Sequence, residues 1–323
     1  MRTILVTGGC GFIGSNFIRH ILQATDWRVV NVDSLTYAGT TTSLKGVEES
    51  SRYAFVRGDI TDGALVSQAV GAYDADTIVH FASESHVDNS IENPAVFVRT
   101  NVLGTYALLE VARRHNIRFH NVSTDEVFGS LRNDDPPFTE THNYAPHSPY
   151  SATKAAADHL VNAYYHTYGL KTTVSNCSNN YGPFQFPEKL IPLFVTNLML
   201  GKKVGVYGDG KNVRDWLHVD DHCRALRLIL EDGRIGETYC VGGSAQRSNL
   251  EVTRAILAEM GMGDDMIQFV KDRPGHDFRY AISHAKIAAE LGWQPTVSFE
   301  EGIHQTVAWY RNNEWWWRPL RKH

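Results

Sequence analysis

Thr3-Ile4-Leu5-Val6-Thr7-Gly8-Gly9-Cys10-Gly11-Phe12-Ile13-Gly14 is the stretch on which the fold turns. Its first five residues are an apolar run of strand length, and the residues from about Ser15 to Ala24 have the spacing of a helix. The glycines between them fit both G-x-x-G-x-x-G (Gly8, Gly11, Gly14) and G-x-G-x-x-G (Gly9, Gly11, Gly14). Glycine here makes a tight turn, lets the backbone approach a pyrophosphate and lets the helix pack on the strand, while the helix N-terminus offers N–H donors to the anion. A strand before the glycines and a helix after them give the pattern its meaning. A second strand, Arg28 to Val32, ends at Asp33, nineteen residues past Gly14. A carboxylate there holds both adenosine ribose hydroxyls and repels a 2′-phosphate, which favours NAD over NADP.

The same rhythm continues. Tyr53 to Val56 leads to Gly58-Asp59-Ile60, where Asp59 can accept from an adenine amino group and Ile60 can pack on the ring. Thr77 to Phe81 leads to Ala82-Ser83-Glu84-Ser85-His86-Val87-Asp88, a polar segment at a strand's C-terminal end, where open α/β sheets bind ligands. His86 there is a candidate substrate contact and equally a structural hydrogen-bonding residue. Asn101 to His115 has helical periodicity. Strands alternating with helices predict an α/β fold with a doubly wound Rossmann parallel sheet over residues 1–176. Residues 177–323 are expected to form a smaller, partly interleaved α/β substrate domain, with a segment at about 213–241 returning to the Rossmann sheet.

Between the two lies Ser123-Thr124-Asp125-Glu126-Val127-Phe128-Gly129, followed by Tyr150-Ser151-Ala152-Thr153-Lys154. Ile117 to Ser123 reads as a strand, and the residues after Tyr150 read as a helix, so Tyr150 and Lys154 share a face as i and i+4. The ammonium favours the ionised phenol. An unperturbed phenol titrates near ~10, so a base working near neutrality needs its pKa lowered by roughly 3 units, about 4 kcal/mol. One lysine falls short of that, and an oxidised nicotinamide ring is a natural second positive charge. Asp125 and Glu126 do not ionise independently, so one stays protonated near neutrality. Successive strand residues point to opposite faces, so both reach one ligand only if the strand ends near Ser123. The plain alternative for Asp-Glu is a solvated acidic loop.

Composition narrows the class. The 323 residues, 42% hydrophobic and 21% charged, suit a soluble globular chain, and the net charge of −5 offers no basic field for nucleic acid. Cys10, Cys177, Cys223 and Cys240 are scattered, with no CxxC and no His cluster at metal-ligand spacing, so reduced thiols and no metal site are expected. The chain passes from Met1-Arg2 directly into a strand, and no apolar run approaches ~18 residues, so neither a signal peptide nor a membrane span is expected. The expected setting is cytoplasmic. Ser298-Phe299-Glu300-Glu301 reads as a capping box opening a last amphipathic helix through Val307 and Tyr310. Trp315-Trp316-Trp317 reads as packing of the tail, or as a subunit contact.

The glycine turn, Asp33, Asp59 and Tyr150-x-x-x-Lys154 resemble the extended short-chain dehydrogenase/reductase superfamily, which includes the nucleotide-sugar epimerases and dehydratases. Within it, several segments together resemble the dTDP-glucose 4,6-dehydratases. They are Ser85-His86-Val87-Asp88, Ser123-Thr124-Asp125-Glu126-Val127, Asn179-Asn180-Tyr181-Gly182-Pro183, Phe186-Pro187-Glu188-Lys189-Leu190-Ile191-Pro192, Arg214-Asp215-Trp216 and Asp272-Arg273-Pro274-Gly275-His276-Asp277. The match runs over nearly the whole chain.

The resemblance implies a reaction on dTDP-glucose: hydride leaves C4 for NAD, water is eliminated across C5 and C6, and the hydride returns to C6. In that chemistry Tyr150 takes the 4-hydroxyl proton, Thr124 hydrogen-bonds the same oxygen, Lys154 holds the phenolate and the nicotinamide ribose, Glu126 is the base at C5 and Asp125 the acid at C6. It also places Phe12, Ile13, Leu35, Thr36, Phe81, Ala82, Ser83 and Thr100 at the cofactor. Ser85, Glu188 and Leu190 are implied at the substrate. Asn179, Lys189, Arg214, Arg273 and His276 are donors for an anionic diphosphate and nucleotide. Val206, Tyr207 and Asn249 match positions that hold the base and its ribose. A sibling UDP-sugar 4-epimerase or decarboxylase shares the Tyr150/Lys154 step and has no need of Asp125 and Glu126. Departures from the pattern are Phe128 for Tyr, Ser83 for Ala, Asn89 for Arg and Phe278 for Arg. The last two put phosphate or subunit contacts in question, and leave the reaction type alone. The resemblance further implies a homodimer paired through helices near 101–115 and 151–167, with Ala152, Ala155 and Ala156 permitting close approach.

Overall fold

The computed structural model describes residues 2–273 and 275–321, so Pro274 of the quoted Asp272–Asp277 segment lies outside the described residues. Its strands are β1 (Thr3–Thr7), β2 (Arg28–Asp33), β3 (Tyr53–Arg57), β4 (Thr77–His80), β5 (Arg118–Thr124), β6 (Thr172–Cys177), β7 (Asn179–Tyr181), β8 (Val204–Tyr207), β9 (Val213–His218), β10 (Thr238–Val241), β11 (Gln246–Ser248) and β12 (Ile267–Val270). Seven of them form one sheet in the order β10-β6-β5-β4-β1-β2-β3, every neighbouring pair parallel. From β1 the chain winds outward to β2 and β3, then returns to β4 and winds the other way. The crevice between the C-terminal ends of β1 and β4 is the point where such sheets bind ligands.

Alternation along the strands builds a core on each face. Leu5, Val32, Ile78, Phe119 and Val174 join Val66, Val70, Leu108, Leu109 and Val161 of the helices on one side. Ile4, Val6, Val29, Val79 and Val122 join Phe17, Ile18, Ile21, Leu226 and Leu230 on the other. The first helix runs Phe12–Ala24, three residues earlier than the periodicity suggests, because Gly11 serves as its N-cap. Gly8 takes φ +73°, and a Cβ there would sit 2.6 Å from the Ala82 amide nitrogen. A Cβ on Gly14 would lie 2.4 Å from the Gly8 carbonyl, so these two glycines set how closely helix and strand approach.

The second half packs around a separate core. β11, β9 and β7 form one small sheet, and β8 pairs with β12. The helices Leu190–Met199, Asn249–Met260 and Phe299–Asn312 close over Tyr181, Phe194, Val206, Ile256 and Val307. Of the segment expected to return to the large sheet, the helix Val219–Asp232 and β10 do so, whereas β9 pairs with β7 and β11 instead. Ser298 caps the last long helix through the Glu301 amide at 3.2 Å. The expected reciprocal contact is absent, and Glu301 Oε1 instead accepts from Gln305 at 2.7 Å. All four cysteines are free and buried.

Within the helical run Pro94–His115 an 18-residue stretch has a mean hydropathy of 1.2, so by length and composition alone the run could cross a membrane, where no span is expected from the sequence. In the fold its Leu108, Leu109, Val111 and Ala112 are buried against the sheet. Val96, Val98, Leu103 and Tyr106 stay exposed.

The tryptophan run divides by environment. Trp316 and Trp317 are buried in the second core, and Trp317 Nε1 donates to the Tyr310 carbonyl at 2.8 Å. Trp315 is 48% exposed, with Lys45 4.9 Å above its ring. Trp317→Ala should therefore cost about 3–5 kcal/mol in chemical denaturation. Trp315→Ala should cost about 1 kcal/mol or less. Equal losses would contradict the packing of the tail described here.

Candidate active site

Two clefts meet at a shared wall. The first, of ≈ 390 Å³, runs from the glycine turn to the C-terminal ends of β5 and β6. The second, of ≈ 210 Å³, lies between His86–Asp88 and the second half. Glu126, Asn179, Glu188, Lys189, Leu190 and Trp216 line both.

The first cleft gathers Gly8, Gly11, Phe12, Ile13, Gly14, Asp33, Thr36, Asp59, Ile60, Phe81, Ala82, Ser83, Thr100, Tyr150 and Lys154, which is every residue expected at the cofactor except Leu35. Leu35 adopts φ 55° and packs against the core, and only its amide serves the site, donating to Asp33 Oδ1 at 2.8 Å. Asp33 Oδ2 accepts from the Cys10 amide at 2.9 Å, which fixes a nearly buried carboxylate at the end of β2. Gly11 caps its helix with no side-chain bond, so the first-turn amides of Phe12 and Ile13 are left for an anion. Glycine turn, first-turn amides and carboxylate together fit a dinucleotide.

The second cleft holds His86, Val206, Tyr207, Arg214, Asn249, Arg273 and His276, and Ser85 lies on the first side of the shared wall. The two halves are tied across this mouth: Lys189 Nζ donates to the Ser85 carbonyl at 2.7 Å, Tyr37 donates to Glu188 at 3.1 Å, and Arg273 pairs with Asp88 at 3.3 Å. Arg214 is buried, donates to the carbonyls of Val213 and Asp277 at 2.7 and 3.0 Å, and stacks 4.3 Å from Tyr280. Asp215 accepts from the amides of Gly243 and Ala245 and holds β9 to the loop between β10 and β11. Trp216 and Tyr280 also line the second cleft, without a role expected from the sequence. Trp216 stood inside a quoted motif, and Tyr280 had no sequence signal beyond its type.

The unusual residues find local explanations. Phe128 is buried between Phe138 and Tyr144, with ring centroids 5.2 and 5.1 Å away. Asn89 Nδ2 approaches the Tyr37 hydroxyl at 3.4 Å. Phe278 is exposed, and its amide donates to Ser130.

At the junction, β5 ends at Thr124, and Asp125–Phe128 turns as a short 3-10 helix that Thr124 caps through the Glu126 amide at 3.3 Å. The turn separates the two carboxyls. Glu126 lines the clefts; burial raises its pKa, while Arg214, Lys189 and Arg273 pull it back. Asp125 is 1% exposed, lines neither cleft, and has an Oδ2 with no partner. Burial and the Glu126 charge push it well above the ordinary carboxylate range. One carboxyl is thus held protonated beside another that three cations help to ionise. Tyr150 and Lys154 come from the helix Pro149–Tyr168, opened by a Ser148/Ser151 capping box with Pro149 in its first turn. Lys154 is 4% exposed, and Nζ donates to the Val122 carbonyl at 2.8 Å.

The sequence from 5 to 306 matches the family model described as GDP-mannose 4,6 dehydratase. The dTDP-glucose 4,6-dehydratase of Neisseria meningitidis serogroup B is 51% identical over 341 aligned residues, covering 99% of this chain and 96% of the relative. The chain belongs to the nucleotide-sugar 4,6-dehydratase family. A solved dTDP-glucose 4,6-dehydratase of Streptomyces venezuelae, with NAD and TYD bound, superimposes with a TM-score of 0.96 at 48% identity, covering 99% of this chain and all of that one. A UDP-glucose 4-epimerase of Thermotoga maritima, with UDP-glucose, shares the fold at a TM-score of 0.90 and 29% identity, over 97% of this chain and 99% of its own. Fold likeness therefore spans both dehydratases and epimerases.

In the 4,6-dehydratase fold as it stands here, Tyr150 is far from ionising. Burial, then the Glu126 charge, push its phenol well above 10, and the Thr124 hydroxyl opposes them. Lys154 alone does not offset this. Ultraviolet difference absorbance between the cofactor-free protein and a Tyr150→Phe variant should show no tyrosinate from this residue below about pH 10. A tyrosinate signal near neutrality that disappears in the variant would contradict the electrostatics described.

Proposed function

We propose that this chain is an NAD-dependent dTDP-glucose 4,6-dehydratase, a hydro-lyase that makes dTDP-4-keto-6-deoxyglucose. The observation that carries the reading is the unequal setting of Asp125 and Glu126 on one turn beside Tyr150 and Lys154. A 4-epimerase or a decarboxylase needs the phenol and the ammonium, and has no task for that pair.

Asp33, the glycine turn and Lys154 hold the cofactor; NAD, when bound, supplies the acceptor for hydride from C4 and the donor for its return to C6. With the positive charge of an oxidised nicotinamide added to that of Lys154, Tyr150 would ionise and so receive the 4-hydroxyl proton, with Thr124 hydrogen-bonding the same oxygen. A ketone at C4 acidifies the C5 proton, which Glu126 takes from the cleft wall and gives back to C5 when hydride returns to C6. Asp125 gives its proton to the C6 oxygen, which leaves as water; from its buried position it does so by turning its side chain toward the cleft. Arg214, Arg273, Lys189, Asn179 and His276 provide the cationic and donor surface for a diphosphate in the second cleft. Val206, Tyr207 and Asn249 shape its far end for the base and ribose.

A homodimer belongs to the same reading. Leu103 and Tyr106 are 53% and 49% exposed on one helix, and Ala152 is exposed on the other with Ala156 half-buried beside it. Ala155, grouped with them from the sequence, points into the protein and takes no part. A reducing, cytoplasmic setting accords with four free buried thiols.

Glu126→Gln should lower dehydration of dTDP-glucose by at least about 100-fold. Mixing the variant with excess substrate should still give slow reduction of bound NAD as C4 is oxidised. Full product formation by the variant would remove Glu126 from the C5 step.

A further inference from the structure

Tyr150, Lys154 and Asp158 follow one another at i, i+4 and i+8 along one face of the helix Pro149–Tyr168. The first two line the cleft, whereas Asp158 does not and is fully buried. Four donors hold its carboxylate. Asn121 Nδ2 donates to Oδ1 at 2.7 Å, while Ser123 Oγ, Tyr144 OH and Asn176 Nδ2 reach Oδ2 at 2.7, 3.0 and 3.2 Å. Four donors on its two oxygens favour the ionised form of the carboxyl. An anion so deep requires a nearby cation. Lys154, one helical turn away, supplies it without touching it, because Nζ is turned to the Val122 carbonyl.

The groups facing Lys154 are Tyr150 and Asp158 on its own helix, Cys177 on β6 and His80 on β4. Burial pushes the Cys177 thiol up to about 12 and His80 down to about 3, and Tyr150 is un-ionised, so these three are neutral. Burial raises Asp158 as well, but Lys154 and then the donors Ser123, Tyr144 and Asn176 pull it back, so among these groups it is the one set up to carry a charge. Burial lowers Lys154, and Asp158 is the first influence that raises it.

We propose that Asp158 is a positioning residue for the C4 oxidation step: fixed behind Lys154 by Asn121, Ser123, Tyr144 and Asn176, it keeps that side chain cationic and leaves its remaining N–H groups to the cleft. This rests on the dehydratase reading, in which Lys154 acts as a cation beside the phenol. Direct contact between carboxylate and ammonium would have taken the same N–H groups away.

The structure also supplies a clean test. In Asp158→Asn the new amide oxygen can keep the three donors on the Oδ2 side. Its NH2 then faces Asn121, whose own buried Oδ1 lacks a partner and can accept if that amide flips. The substitution removes charge and preserves shape. With 13C-labelled lysine and the Lys154 resonance assigned through K154R, the titration midpoint of Lys154 should fall by about one unit or more in D158N. The alkaline limb of kcat/KM for dTDP-glucose should move down with it, at a thermal midpoint near that of the native protein. An unmoved Lys154 midpoint overturns the inference, whatever the loss of activity. Should D158N fail to fold, Asp158→Ser removes the charge while leaving a hydroxyl among the same donors and should lower the same midpoint; no shift there also overturns it. Native protein that does not dehydrate dTDP-glucose contradicts the function instead, and the resonance still tests the pair.

Discussion

The site is built on a buried lysine. Lys154 is nearly inaccessible at the C-terminal end of a parallel sheet, where an uncompensated ammonium would be costly. The sheet answers with one carbonyl, Val122, two residues before the end of β5. The long helix answers with the carboxylate of Asp158, itself gathered by side chains of β5, β6 and the loop before the helix. The lysine therefore couples the position of that helix to the ends of two strands. Tyr150, one turn earlier, is placed by the same docking.

The second half extends this arrangement across the mouth. Its small sheets and three helices have a core of their own, and from that platform Lys189, Arg214 and Arg273 face the turn that carries Glu126. These cations have two consequences. In the proposed reading they offer a surface to a diphosphate; they also make Glu126 easier to ionise than Asp125, which sits one residue away with Arg214 alone of the three acting on it. Proposed binding surface and acid–base asymmetry are thus one electrostatic arrangement, and the proposed division of labour between the carboxyls follows from which side of the turn each occupies.

Much of this was legible in the sequence because the signals are local. The glycine turn, the strand ending at Asp33 and the Tyr150/Lys154 spacing are read within a few residues of one another, and the structure gathers all three at one cleft. The strand carrying Ser123 does stop at Thr124, near the expected place, but the reason expected for it is not met, because only Glu126 of the two carboxyls lines the clefts. Other features depended on tertiary placement. That Asp125 turns away from the cleft, that Leu35 points inward at φ 55°, and that β9 joins a separate sheet are decided by packing no short window contains. Asp158 is the intermediate case. Its spacing from Lys154 was visible, but its significance rests on four donors drawn from other elements.

The most direct measurement is to incubate the purified protein in parallel with dTDP-glucose, UDP-glucose, UDP-galactose, UDP-glucuronic acid and GDP-mannose, and to follow the products by mass. The account predicts loss of one water from the dTDP sugar with no net reduction of NAD. An isomer of unchanged mass, or carbon dioxide release from the uronic acid, would contradict it, and would leave Tyr150 and Lys154 in an enzyme with no use for Asp125 and Glu126.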